Sequence, residues 1–151
     1  MTLVKRFADY AAAFERAYRD DDWSRLEPYF TEDAAYVAHG GPPFAARVEG
    51  RDALLAHLQK SVNAFDRRFP SRRLEFLEGP VLREKGVWMR WRVSYSGPGI
   101  PELVLDGEES ATFEGDRIRR LEDHFPPEAA PIAEMWFRSF ANRIAPASAA
   151  R

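Results

Sequence analysis

Two acids and one histidine are the residues whose types and settings could do chemistry here: Glu109, Asp123 and His39. Glu109 and Asp123 each fall among apolar residues, and His39 opens onto a Gly40-Gly41-Pro42-Pro43 run. A carboxylate withdrawn from water is costly unless paired, and burial alone can raise its pKa by up to ~3–5. Such a group is either neutralised by a partner or kept for proton transfer. Histidine titrates near neutrality without help, so His39 could act as a general acid or base at a pocket rim. The chemistry these residues suggest is proton transfer, with Asp123 as the moving group and His39 or Glu109 as its counterpart. The plainer alternatives are a Glu109 ion pair with Arg119, Arg90 or Arg92, and an exposed loop histidine at position 39.

That chemistry depends on strands that aim the acids inward. Side chains alternate across a strand. Along 102–114, Leu103, Leu105, Gly107, Ala111 and Phe113 share a face with Glu109, while Asp106, Glu108, Ser110, Thr112 and Glu114 share the other. Along 117–125, Leu121 and Phe125 share a face with Asp123 and Arg119. Along 87–96, Val87, Met89, Trp91, Val93 and Tyr95 form an apolar face. A bulge at Gly107 would instead turn Glu108 or Ser110 inward. His124 alternates away from Asp123, and His57 shares the polar, solvated side of its helix with Lys60.

Leu3, Phe7, Tyr10, Ala11, Phe14 and Tyr18 follow helical spacing and predict a first helix from about Thr2 to Arg19. The Asp20-Asp21-Asp22 run breaks it and can cap a short second helix carrying Trp23, Leu26 and Phe30, kept short by Pro28. Ala34 to His39 reads as a strand. Leu54, Leu58, Val62 and Phe65 mark a helix over about Arg51–Phe69, stopped before Pro70. Four strands follow at about 72–84, 87–96, 102–114 and 117–125. Their connections, among them Lys85-Gly86 and Gly115-Asp116, favour hairpins and an antiparallel meander. Ile132, Met135, Trp136, Phe140 and Ile144 mark a final helix over about 128–144, and 145–151 reads as a flexible tail. Its stripe could lid a pocket, meet a partner subunit or pack on its own sheet.

The chain of 151 residues fits a single domain, about 1–144, and its 45% apolar and 30% charged residues are globular composition. A net charge of −2 gives no attraction for nucleic acid or an anionic membrane. There is no cysteine, which excludes thiolate chemistry and sets a reducing cytoplasm as the default. No signal-peptide core and no apolar run of membrane-spanning length is present. The three histidines show no close pairing, no His-Glu-x-x-His, nucleophile elbow, phosphate loop or dinucleotide fingerprint appears, and neither metal nor cofactor is expected.

The order of these elements resembles a known family. A helix precedes Asp20-Asp21-Asp22-Trp23-Ser24-Arg25-Leu26 and Tyr29-Phe30-Thr31-Glu32-Asp33-Ala34. A loop then leads to Glu49-Gly50-Arg51-Asp52-Ala53-Leu54 at a helix start, and the strands end in Phe113-Glu114-Gly115-Asp116-Arg117-Ile118. Together these resemble the nuclear transport factor 2-like superfamily, in its SnoaL-like (polyketide cyclase-like) branch, over roughly residues 5–125. The resemblance implies an α+β, cystatin-like cone-shaped roll: a curved antiparallel sheet wrapped by three helices from the first half of the chain, with the C-terminal helix extra. It also implies a pocket between sheet and helices, and a homodimer. Asp123 matches the acid/base aspartate of the cyclase branch near the end of the last strand. The ketosteroid isomerase base would fall near Ala38 and its tyrosine near Phe14, and neither side chain can do that work.

In such a roll Tyr10, Phe14, Tyr18, Trp23, Tyr36, Met89, Trp91, Tyr95 and Phe113 are the candidate pocket walls, suited to an apolar small molecule. Three functional classes fit: a cofactor-free cyclase, isomerase or dehydratase acting on an apolar ring, a non-catalytic small-molecule binder, and a protein-interaction module with little or no cavity.

Overall fold

A computed structural model describes residues 2–147. Helix α1 spans Leu3–Asp20, and the Thr2 hydroxyl caps it by accepting from the Lys5 amide at 3.1 Å. Its end is a tie point. Asp21 adopts a left-handed conformation (φ 61°), and its carboxylate accepts from Trp23 Nε1 at 3.0 Å and Gln59 Nε2 at 3.2 Å. A 3₁₀ segment, Trp23–Tyr29, contains Pro28 and leads into β1, Phe30–His39.

Strand β2, Ala46–Glu49, pairs antiparallel with β1. It was not expected, because four half-polar residues after a proline pair carry no usable strand pattern. Helix α2 spans Arg51–Ala64, and a 3₁₀ turn, Asp66–Arg68, follows. The helix therefore ends five residues before the expected Phe69. The Asp66 carboxylate instead accepts from Arg72 Nε at 3.1 Å and from the Tyr95 hydroxyl at 2.8 Å, bonds that hold the chain in a turn there.

Strands β3 (Ser71–Arg83), β4 (Gly86–Ser96), β5 (Leu103–Glu114) and β6 (Arg117–His124) form the expected meander. The full order is β2-β1-β6-β5-β4-β3, and β1 runs parallel to β6. The sheet is therefore mixed rather than wholly antiparallel. Turn signals report hairpins only; a pairing between strands some eighty residues apart leaves no local mark. One face of the sheet carries Val87, Met89, Val93, Leu105, Ala111 and Leu121 against Phe7, Tyr10 and Ala17 of α1 and Leu54, Leu58 and Val62 of α2, all buried. The result is an α+β roll with the helices on the concave side.

Gly107 is not a bulge. It pairs with Trp91 in an unbroken β4–β5 register, and a Cβ there would lie 2.4 Å from Trp91 Cζ2. The glycine makes room for the indole, so Glu109 keeps its inward direction.

Helix α3, Ala129–Phe140, packs on β5 and buries Ala129, Ala133 and Trp136, whose Nε1 donates to the Pro101 carbonyl at 2.9 Å. A 3₁₀ turn ends it at Arg143. None of its residues lines the cavity described below, so it is not a lid. At the start of the expected tail, the Ala145 amide donates to the Arg68 carbonyl at 3.0 Å and its carbonyl accepts from Arg68 Nε at 2.9 Å. Residues 148–151 of that tail lie outside the described residues. No described helix is long and apolar enough to cross a membrane.

Candidate active site

The β5–β6 register places Glu109 directly opposite Asp123, with Met89 beside Glu109 on β4 and Ala38 beside Asp123 on β1. Side chains so paired on one face lie within reach of each other. The β1–β6 register also sets Tyr36, two residues before Ala38 and on the same face, against Asp123. The Tyr36 hydroxyl donates to Asp123 Oδ2 at 2.6 Å. These groups face a cavity of ≈ 450 Å³ between the sheet and helices α1 and α2.

Both carboxyls keep some accessible surface, and both line the cavity. Asp123 Oδ1 is shielded and has no N–H or O–H donor among the described residues. Glu109 lies within hydrogen-bonding range of Asp123, so a proton on Glu109 supplies a donor to this acid. Burial pushes Glu109 well above the usual carboxylate range, and the neighbouring Asp123 charge pushes it further. Burial raises Asp123 too, while bonds from Glu109 and Tyr36 pull it back. The two titrate as a unit, with Glu109 the member that holds its proton longer.

No described arginine or lysine pairs with either acid. Arg92 holds Asp106 through two bonds of 2.7 and 3.0 Å, Arg90 faces Glu78, and Arg119 faces Glu114 and Asp33. The arginines that could have neutralised Glu109 are all engaged on the outer side.

Tyr10, Phe14, Tyr36, Met89, Trp91 and Tyr95 line the cavity. Tyr10 contributes more than a wall. Its hydroxyl bonds no described residue, and burial together with Glu109 and Asp123 pushes its pKa well up, so it remains a donor facing the cavity. Tyr36 is pushed up by burial and by Asp123 and likewise keeps its proton.

Three expected wall residues lie elsewhere. Trp23 packs behind Phe14, ring centroids 5.3 Å apart, and spends its N–H on Asp21. Tyr18 sits under the Arg72 and Arg67 guanidiniums, at 4.8 and 5.2 Å. Phe113 lies beyond a register shift after Thr112, beside Leu3 and Leu82.

The structure does not bring His39 to the acids. Alternation sends it to the outer face, where its ring stacks on His124 at 4.4 Å and its Nε2 lies 3.1 Å from Glu122 Oε2. The expectation of unpaired histidines is thereby corrected: β1 and β6 set His39 and His124 side by side. One donor atom each from His39, Glu122 and His124 lie within 4.8 Å of one another, a spacing compatible with a metal ion. The stacked rings are only 7° from parallel, however, so their in-plane lone pairs do not converge. Arg120 already engages Glu122.

His57, expected in solvent, lines the cavity, with its ring 5.4 Å from that of Tyr36 and its Nε2 3.3 Å from Ser61 Oγ. Burial and then Lys60 lower its pKa, which favours the neutral imidazole. Sequence reasoning also missed a second polar cluster in the same cavity. Arg72 Nη1 donates to Glu15 Oε1 at 2.8 Å, and Arg72 Nε to Asp66.

A concave mixed sheet, helices across its hollow and acids at the floor define an α+β roll of the nuclear transport factor 2-like kind. The SnoaL-like domain family matches residues 10–123, and the chain belongs to that family. Comparison with curated protein sequences gave no match. Among solved structures, Bal32a from a soil-derived mobile gene cassette is 18% identical, with 89% of this chain and 99% of that chain covered and a TM-score of 0.65. TerC co-crystallised with polyporic acid is 17% identical over 83% of this chain and 95% of that chain, TM-score 0.59. A protein with a ketosteroid isomerase-like fold from Catenulispora acidiphila, in complex with trimethylamine, is 15% identical over 77% and 84%, TM-score 0.57. At these identities the likeness establishes the fold.

Proposed function

We propose that this chain is a cofactor-free acid–base enzyme of the cyclase, isomerase or dehydratase type, acting on an apolar ring substrate. The observation that carries the reading is the Glu109–Asp123 pair, side by side, without a basic partner, on the floor of an aromatic cavity. Asp123, held by the Tyr36 hydroxyl, takes a proton from the substrate. Tyr10 and the protonated Glu109 donate hydrogen bonds to the substrate oxygen on which charge develops. Aromatic walls hold the ring and keep water out. His39 has no part in this arrangement. The homodimer belongs to the same reading; sedimentation at micromolar concentration tests it, and a monomer removes it.

A non-catalytic binder is the second reading. It is favoured by the fact that TerC and the Catenulispora acidiphila protein are each seen with a small molecule. A cavity of ≈ 450 Å³ weighs against a pure interaction module.

The test is deuterium exchange at the acidic carbon of 2-tetralone, followed by NMR. The wild-type protein should accelerate exchange, and Asp123→Asn should lose ~10²–10⁴-fold of that acceleration. Equal exchange by the two proteins would remove Asp123 as the base. Tight binding of the ketone without exchange would favour the binder.

A further inference from the structure

The cavity has two polar ends, and only one is used by the proposed chemistry. The register along β4 separates them. Met89 pairs with Glu109, whereas Tyr95 pairs with Arg72. Six residues of strand, about 20 Å of backbone, lie between the two levels. Trp91 and Val93 on β4 and Leu105 on β5 fill the interval and line the same cavity. Along its sheet wall the hollow is therefore apolar in its middle and polar at each end.

The far end is built from three elements: Glu15 on α1, Asp66 after α2 and Arg72 on β3. The Arg72 side chain is only 8% exposed. Arg72 donates to Glu15 Oε1 and Asp66 Oδ2, and the Tyr95 hydroxyl donates to Asp66 Oδ2. Glu15 Oε2 is left without any donor among the described residues. By formal count, two carboxylates share one guanidinium. This end is short of donors and rich in acceptors. The Glu15 side chain retains 30% exposure, and the terminal torsion of glutamate is soft, so a small rotation offers an oxygen to a bound molecule.

We infer that the far end of the cavity, Glu15 with Arg72 and Asp66, is a recognition subsite for a hydrogen-bond-donating hydroxyl on an elongated aromatic ligand. The inference rests on the proposed reading of the acid pair and names the substrate class that reading leaves open. A carboxylate is rejected at this end, because Arg72 is already engaged by two acids and an incoming anion would meet both. The ligand is thus a molecule of linked aromatic rings whose hydroxyl lies at the end remote from the reacting atoms.

Calorimetric titration of the full chain with three biphenyls tests this. The probes are 4-hydroxybiphenyl, 4,4′-dihydroxybiphenyl and 4′-hydroxybiphenyl-4-carboxylate. The dihydroxy compound should bind about tenfold or more tighter than the monohydroxy compound, and the carboxylate weakest. Glu15→Gln should erase most of the dihydroxy advantage. Equal affinity for the first two, tightest binding of the carboxylate, or no binding by any of them would overturn the subsite. The series in wild-type protein decides the matter even where the variant folds poorly. Asp123→Asn separates the two claims. It should weaken both phenols alike. A dihydroxy advantage that persists while Asp123→Asn changes nothing would count against the acid end and leave the far end standing.

Discussion

Tyr36 donates its hydroxyl to Asp123 across the only parallel strand pair among the described strands, β1 beside β6. That one contact joins an acid at the end of the sheet's last strand to the first strand of the fold. Removing it should raise the pKa of Asp123. A hydrogen bond to a charged group is worth ~1.5–3 kcal/mol, which corresponds to about one to two pH units. Tyr36→Phe is therefore expected to move the acid limb of the 2-tetralone exchange profile upward by that amount. An unmoved limb would show that the bond does not tune the base.

Glu109 gives the protein a pH dependence of definite sign. Its pKa is raised on folding, so the folded state holds a proton that the unfolded state releases. The stability this proton contributes is full below the unfolded glutamate pKa, near ~4.3, and is lost as pH rises toward the folded value. Glu109→Gln carries no such proton. Its melting temperature relative to wild type should therefore climb as pH is raised from about 4 to 8. A constant difference across that range would contradict the raised pKa.

Arg72→Ala should be among the most damaging single changes. It strands Asp66 and Glu15 without their guanidinium in a largely dry setting. Breaking a buried pair from one side costs ~3–5 kcal/mol, and urea denaturation would read it. A loss below about 1 kcal/mol would mean that water already solvates the cluster.

Gly107→Ala forces a methyl against the Trp91 indole, 2.4 Å from Cζ2. Overpacking of this kind costs ~1–3 kcal/mol and should push the indole toward the cavity. Denaturation and a changed tryptophan emission would both report it. An unperturbed emission with full stability would argue that Trp91 is not fixed by this glycine.

His39→Ala separates the two faces of the sheet. The side chain is about half exposed and faces away from the acids. Exchange activity should be unchanged, and stability should move by no more than ~0.5 kcal/mol. A large loss of exchange would return His39 to the site.

The sequence made much of this legible. Period-two alternation set the inward faces of β4 and β5, and with them Glu109, Met89, Trp91 and Tyr95. It also placed Asp123 on the same side as Leu121. The misses have different causes. The parallel β1–β6 register brings Tyr36 to Asp123 and sends His39 to His124, and no turn or local pattern encodes a pairing so distant in the chain. His57 read as solvated, and Arg72 carried no signal, because a polar residue on a helix side or strand end reads the same whether it faces bulk water or an internal cavity. Phe113 lies at the end of β5 and lines a separate hollow, because alternation gives a residue's face but not its depth along the strand.

In the proposed chemistry Glu109 and Asp123 share a proton inside the roll. Carboxyl-carbon NMR of protein labelled at glutamate and aspartate, titrated from acid to alkaline pH, measures this directly. One glutamate signal, absent in Glu109→Gln, should stay protonated well above the ordinary glutamate range and should shift with the signal that Asp123→Asn removes. Two independent titrations near ~4, typical of exposed acids, would contradict it.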